Sequence, residues 1–388
     1  MANNESLVPL KMLLFSFHAS NTIILSFLPL YLAYKGLNGT EIGWVLAIGP
    51  LASIFAQPFW GYLSDKYKTV KRILLICVCG LLIFSTVFFQ MNHLISIILM
   101  GAVFYFFTTP IGALGDSLAQ RRADVLGKSF GTIRMWGSIG FATSSLVIGE
   151  ILSRVGVQHM IWPYLFFGLL ALLVVFRLKD VKVESDPVKL KDIGILVKNK
   201  AFLLFLLSVV FLSISHRTND SYIGLYIAEL GGSEALVGLG WFVGVASEAL
   251  VFAFAGLWFR KLHPLVFVMI AGAIYSIRWF IYGTLDDPTF VIALQFLHGI
   301  TFGVFYLAAF DYVSRLIPKL LQSTGHLVFF ATFFGISGII GSLAGGAIMD
   351  AFNGGTLYTI LGFVAMIGTL AIFTYHFMFT RKSTSNQH

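Results

Sequence analysis

The sequence predicts an all-α membrane protein whose twelve transmembrane helices form two pseudo-symmetric six-helix halves. Three observations lead there. Hydrophobic residues supply 57% of the chain and charged residues 11%, with a mean hydropathy of +0.87. A soluble domain carries about 25% charge, so most soluble enzymes are excluded. The apolar residues fall into runs long enough to cross a bilayer, and the basic residues punctuate those runs instead of forming one patch. The net charge of +8 therefore points to membrane orientation, not to a nucleic-acid partner.

About twenty apolar residues cross the hydrocarbon core. On that measure the first half has spans near 8–34, 39–63, 73–90, 94–118, 129–152 and 158–177. The second has spans near 201–229, 235–259, 264–284, 288–314, 323–349 and 355–380. The first run is longer than a signal-peptide core and lacks a small-residue cleavage site, so it reads as a retained span. Several spans are long enough to tilt.

Charge bias orients the bundle with both termini cytoplasmic, in the plasma membrane. Of 26 Lys and Arg, only Lys35 and Arg154 then fall outside, and Arg134, Arg217 and Arg278 lie within spans. The outer ends hold acids instead: Glu41, Glu150, Glu229, Glu234, Asp286, Asp287 and Asp350. The longest polar connection divides the chain into an N-terminal half (1–178), a cytoplasmic linker (179–200) and a C-terminal half (201–388). The halves repeat weakly at an offset of 195 residues: Gly61 maps to Gly256, Asp116 to Asp311 and Gly140 to Gly335. Parallel six-span repeats are known among secondary carriers.

Seven ionisable side chains stand inside or at the ends of spans: Asp116, Arg134, Arg217, Asp220, Glu248, Arg278 and Asp311, joined by His216 and His298. A charge at mid-membrane costs roughly 2.5–3.5 kcal/mol on insertion scales. Such groups face a bundle interior or a watery cavity, pair with one another, and mark a solute or proton path. On the seventh span, Arg217 and His216 lie three and four residues before Asp220, so all can share a helix face. The pair Arg217 and Asp220 also fits a purely structural bridge. The two cysteines, Cys77 and Cys79, lack further ligands for a metal site and read as inert buried thiols. No nucleotide-binding loop is present, which argues against ATP-driven pumping.

Between spans two and three stands Gly61-Tyr62-Leu63-Ser64-Asp65-Lys66-Tyr67-Lys68, followed by Lys71-Arg72. Gly61 permits close helix approach, and Asp65 has the chemistry to cap a neighbouring helix N-terminus. This motif, in this topological slot, resembles the signature loop of the major facilitator superfamily. The resemblance implies a gating role for Gly61, Asp65, Lys66 and Arg72. The matching slot of the second half, Gly256-Leu257-Trp258-Phe259-Arg260-Lys261, keeps the glycine and bases but has no Asp, so any gating would be asymmetric.

Two further stretches, Gln57-Pro58-Phe59-Trp60-Gly61 and Phe130-Gly131-Thr132-Ile133-Arg134-Met135-Trp136-Gly137, resemble the lactose permease-like group. Gly115-Asp116-Ser117-Leu118-Ala119 is more similar still to the phenylpropionate and nucleoside proton symporters of the same clan. The resemblance implies that Arg134 and Asp116 hold the solute, with Phe141 as a stacking ring, and that Glu248, Arg278 and His298 couple occupancy to a proton. Glu248 near Arg278 is the preferred pair. The chain departs from the group at Thr301, three residues after His298, where the permeases carry a proton-releasing glutamate. Asp220, Glu248 or Asp311 must then take the proton, or coupling differs. Asp311 equally fits a structural pair with Arg315, and Phe141 and His298 equally fit packing roles.

The expected function is secondary active transport by alternating access, as proton-coupled symport of a small polar or aromatic solute such as a sugar, nucleoside or arylpropionate. Arg217 and Asp220 add polar contacts to the solute site. Proton-driven efflux of amphipathic compounds is the alternative. A remote third reading is an intramembrane serine hydrolase, because Gly335-Ile336-Ser337-Gly338 matches a Gly-x-Ser-Gly motif. The expected partners are the solute, the proton and lipid, with no catalytic residue, metal, cofactor, nucleic acid or obligatory protein partner. Glycines of spans five and eleven are expected to line close helix contacts.

Overall fold

In a computed structural model, the described residues are 7–180, 194, 196, 198–259, 261–318 and 321–384. Among them are twelve helices long and apolar enough to cross a membrane. The first six are α1 (Val8–Tyr34), α2 (Gly39–Lys66), α3 (Val70–Gln90), α4 (Leu94–Leu126), α5 (Phe130–Val155) and α6 (Ile161–Arg177). The rest are α7 (Lys200–Glu229), α8 (Glu234–Ala253), α9 (Pro264–Tyr282), α10 (Pro288–Leu316), α11 (Thr324–Ala351) and α12 (Gly354–Thr384). Most of the expected linker, with its run from 181 to 187, and Arg260 lie outside the described residues.

Helices prevail because hydrocarbon offers the backbone no hydrogen-bond partner, so each span must satisfy its own. Their ends are closed by side chains. Asn38 and Glu41 form a reciprocal capping box on α2. Asn199 caps α7, and Asp287, followed by Pro288, opens α10. Glu229 and Asn353 accept the first amides of α12. The α2–α3 turn places Lys68 at φ 51°. Its amide bonds to the Asp65 carbonyl and that of Thr69 to the Ser64 carbonyl, a Schellman closure normally served by glycine.

The described residues of Met1–Pro187 and Gly232–Phe242 form one compact unit, and those of Val188–Gly231 and Val243–His388 a second. In the first, α1 and α5 approach so closely that a Cβ on Gly140 would stand 2.3 Å from the Phe15 carbonyl oxygen. Ser144 of α5 also donates to the Ala19 carbonyl of α1 at 2.8 Å. In the second, Gly341 and Gly345 of α11 admit Thr218 and Tyr222 of α7, whose hydroxyl bonds to the Ser342 carbonyl. These contacts match the small-residue stripes expected on spans five and eleven.

Spans ten and eleven differ from the plain helices expected. Each contains a π-helical segment, Gly299–Gly303 in α10 and Ala331–Ile336 in α11. Such bulges gather at functional sites in other helices. Span eight also stops being one helix, ending at Ala253 before a short turn of helix over Ala255–Trp258.

Candidate functional site

In the first unit, α4 and α5 bring the Arg134 Nε within 3.1 and 3.2 Å of the two Asp116 carboxylate oxygens. The side chains retain 34% and 35% of their exposure, although the Asp116 Oδ1 atom is itself buried. A third residue, His18 of α1, joins them. A Cβ on Gly137 would lie 2.5 Å from His18 Cδ2 and 2.6 Å from Arg134 Nη1, so Gly137 makes room for both. The buried Nε2 of His18 has no hydrogen-bond partner among the described residues. Phe141, one turn beyond Gly137, packs edge-on against Trp241 with ring centres 5.8 Å apart.

The second unit holds the remaining charges. Asp220 accepts from Arg217 at 2.8 Å and lies 3.4 Å from His216, confirming that all three share a face of α7. His216 stacks on Phe302 at 4.5 Å and meets the Tyr275 hydroxyl at 3.0 Å. Its ring centre is 5.6 Å from that of His298. Glu248 and His298 come within 3.8 Å because α8 and α10 touch beside them. At that crossing Ser247 Oγ accepts the Gly299 amide, and a Cβ on Gly299 would strike the Ser247 carbonyl.

Arg278 is fully buried, and its surroundings differ from the pairing with Glu248 expected from sequence. Its nitrogens donate to Gln295, to the Tyr282 hydroxyl and to Thr301 Oγ1. Trp279 and Tyr282 place rings 4.8 and 5.1 Å from the guanidinium carbon. Neutral oxygens and π-faces thus solvate this cation, and Thr301, where the permease group carries glutamate, is one of them. Asp311 forms an ion pair with Arg315 at 2.8 Å, one turn along α10, the structural pairing that its position allowed.

At the loop between α2 and α3, the α3 amides go to other groups than Asp65. Thr69 accepts from Arg72, while Asp180, beyond α6, accepts from Val70 and Lys71 and bonds to the Thr69 hydroxyl. Lys66 lies over the Tyr62 and Tyr67 rings. Among the described residues outside its own helix backbone, nothing within 4 Å would meet a Cβ on Gly61, which differs from the close helix approach expected there. Ser337 is fully buried at the end of the π segment of α11.

Sequence reasoning missed His18, Gln295, Tyr275 and Asp180. His18 carried a usable signal, as the one imidazole of the first span. The others gain meaning only from the helix that packs against them.

The sequence model of the family described as MFS_1 like family matches residues 7–360. The uncharacterized transporter YwbF of Bacillus subtilis (strain 168) is 28% identical over 361 residues, covering 92% of this chain and 89% of its own length. The maltose permease of Geobacillus stearothermophilus is 26% identical over 337 residues, covering 87% and 86%. Among solved structures, the nucleoside transporter NupG superposes with a TM-score of 0.82 at 18% identity, covering 96% of this chain and 98% of that one. At that identity the likeness shows the fold, which is the major facilitator fold.

Proposed function

Because the chain belongs to the MFS_1 like family of major facilitator transporters, we propose that it is a proton-coupled symporter of a small, neutral, hydroxyl-bearing solute. The observation that carries this is the Asp116–Arg134 pair, 3.1 Å apart and one-third exposed. Together the two side chains are electrically neutral, and they offer a guanidinium donor fork beside a carboxylate acceptor. A sugar or ribose hydroxyl pair can accept from Arg134 while donating to Asp116. An anionic solute would first have to displace Asp116 from the guanidinium. His18 adds a ring nitrogen to the same group, and Phe141 a ring edge. Maltose and nucleosides, the solutes named for two of its relatives, both carry neutral hydroxyl pairs.

The proton is assigned to the second unit, to the Glu248–His298 pair, with His216 and Asp220 beyond it as a continuous polar set. Arg278 acts as a fixed positive neighbour, held by its neutral partners. The carrier works by alternating access, as a multi-pass protein of the plasma membrane with both termini in the cytoplasm.

Proteoliposomes with an imposed pH gradient test this reading with radiolabelled maltose and uridine. The expected result is uphill uptake that an uncoupler abolishes, lost in Arg134→Gln. Glu248→Gln should lose uphill uptake yet keep solute exchange at equal concentrations. Uphill uptake unchanged in Glu248→Gln would remove the coupling assignment, and unchanged binding in Arg134→Gln would remove the solute site.

A further inference from the structure

Tyr275 of α9 carries a hydroxyl that none of the roles above uses. It belongs to a fully buried side chain and meets Nδ1 of His216 at 3.0 Å. The opposite ring nitrogen, Nε2, lies 3.4 Å from Asp220 Oδ2, the oxygen that accepts from Arg217 at 2.8 Å. The Tyr275 hydroxyl also has Thr301 of α10 as a hydrogen-bond partner. Thr301 sends its own hydrogen to the Leu297 or His298 carbonyl, at 2.9 and 3.1 Å, and keeps a lone pair for Tyr275. One chain of polar groups thus runs from Asp220 through His216 and Tyr275 to Thr301, entirely inside the second unit.

The imidazole in the middle of this chain is clamped. Phe302 lies flat on it, 4.5 Å away and 7° from parallel, and the Phe333 ring stands 5.7 Å off. A ring held this way answers a change of charge by moving hydrogens between its nitrogens, not by rotating. With Asp220 ionised, Nε2 carries the hydrogen and Nδ1 accepts from Tyr275. With Asp220 protonated, the carboxyl O–H faces Nε2, so the ring hydrogen stands on Nδ1. It then donates to Tyr275, whose hydroxyl turns to Thr301. The hydrogens balance between the two states. His216 gives its Nε2 hydrogen to Asp220 Oδ2 and takes the Tyr275 hydrogen on Nδ1, and the incoming proton replaces the one that Tyr275 gives up. The charged and titratable groups facing the ring are Arg217 and Asp220 of its own helix, Arg278 of α9 and His298 of α10, with Glu248 of α8 acting on Tyr275.

We infer that Tyr275 is a positioning residue for the coupling proton: its hydroxyl lets His216 exchange tautomers, and so lets Asp220 take the proton. The inference rests on the symport reading above and deepens it, by placing a store for the proton on Asp220, beyond the Glu248–His298 pair. Without the hydroxyl, a hydrogen on Nδ1 would be a buried donor with no acceptor, which is costly. The ring would then keep its hydrogen on Nε2, and protonated Asp220 would lose the chain that supports it. Phenylalanine at 275 keeps the packing on Trp279, whose ring is 5.6 Å away, and removes only the hydrogen bond.

The test uses the purified full-length protein. Nitrogen-15 NMR reads the tautomer of His216, and the carboxyl infrared band that Asp220→Asn removes reads the protonation of Asp220. On acidification the wild type should pass from the Nε2–H to the Nδ1–H tautomer as the Asp220 band appears. In Tyr275→Phe the ring should stay in the Nε2–H form throughout, and the band should appear about one pH unit lower, the worth of one buried hydrogen bond. A merely structural hydroxyl would lower the melting temperature and move neither signal. The inference is overturned if Tyr275→Phe switches tautomer at the wild-type pH, if the wild-type tautomer ignores the Asp220 band, or if Asp220→Asn removes no band at any pH. Uphill uptake of radiolabelled maltose and uridine is measured alongside. A tautomer switch that Tyr275→Phe abolishes, in a wild type without uphill uptake, keeps the relay and removes symport. Uphill uptake with a tautomer that never responds removes the relay and keeps symport.

Discussion

Neutralising Asp220 isolates the energetics of the second-unit cluster. Its carboxylate is 6% exposed and accepts from Arg217, itself 17% exposed, at 2.8 Å. In Asp220→Asn the guanidinium keeps its charge and loses its counter-ion. Breaking a buried pair from one side costs about 3–5 kcal/mol. The residual exposure of Arg217 and its seat on Phe334 reduce this to about 2–3 kcal/mol. Arg217→Gln should cost a similar amount, since it strands the carboxylate. The double variant replaces the ion pair by two amides able to bond to each other, so it should recover about 1–2 kcal/mol over the sum of the singles. The assay is equilibrium unfolding of the four proteins in SDS-containing mixed micelles. Strictly additive losses, or an Asp220→Asn protein as stable as the wild type, would refute the claim that these two charges depend on each other.

Three further substitutions probe the scaffold. Gly140→Ala would put its Cβ against the Phe15 backbone carbonyl, and the enforced separation of α1 and α5 should destabilise by about 1–3 kcal/mol. A detergent melting temperature equal to that of the wild type would contradict it. Lys68→Gly relieves a positive φ of 51° and should stabilise the α2–α3 turn by about 1 kcal/mol, seen as a raised melting temperature. Asp180→Ala removes the acceptor for two α3 amides and should cost about 1 kcal/mol at that helix end. Faster hydrogen exchange at Val70 and Lys71, with the rest of the first unit unchanged, is the expected signature.

Much of the fold was legible because hydrocarbon imposes so few solutions. Long apolar runs must be helices, and runs such as 8–34 and 94–118 begin where the helices begin. The ends were less legible, since α4 continues to Leu126 through Arg121 and Arg122, whose charge marks the bilayer edge and not the helix edge. The π segments of α10 and α11 leave no trace in hydropathy, because they change hydrogen bonding and not composition. At the site, residues sharing one helix were readable: the spacing of His216, Arg217 and Asp220 placed them together. Partners on different helices were harder. Asp116 and Arg134 came from a family resemblance, whereas Glu248 was matched to Arg278 although its carboxylate lies 3.8 Å from His298. Rotation of α9 about its axis decides that pairing, and nearly uniform hydrophobicity does not specify rotation.

Water contact at the charged positions tests the inward placement of these charges most directly. Arg134→Cys and Arg217→Cys would be made in a background with Cys77 and Cys79 replaced by alanine. Leu207→Cys, on α7 and 61% exposed, serves as the apolar reference. Membranes are treated with a small hydrophilic maleimide, which reacts with thiolate and therefore requires water. Positions 134 and 217 should label readily, position 207 should stay inert, and uridine or maltose should slow labelling at 134. If 134 and 217 prove as inert as 207, the charges do not line an aqueous path, and transport through them is contradicted.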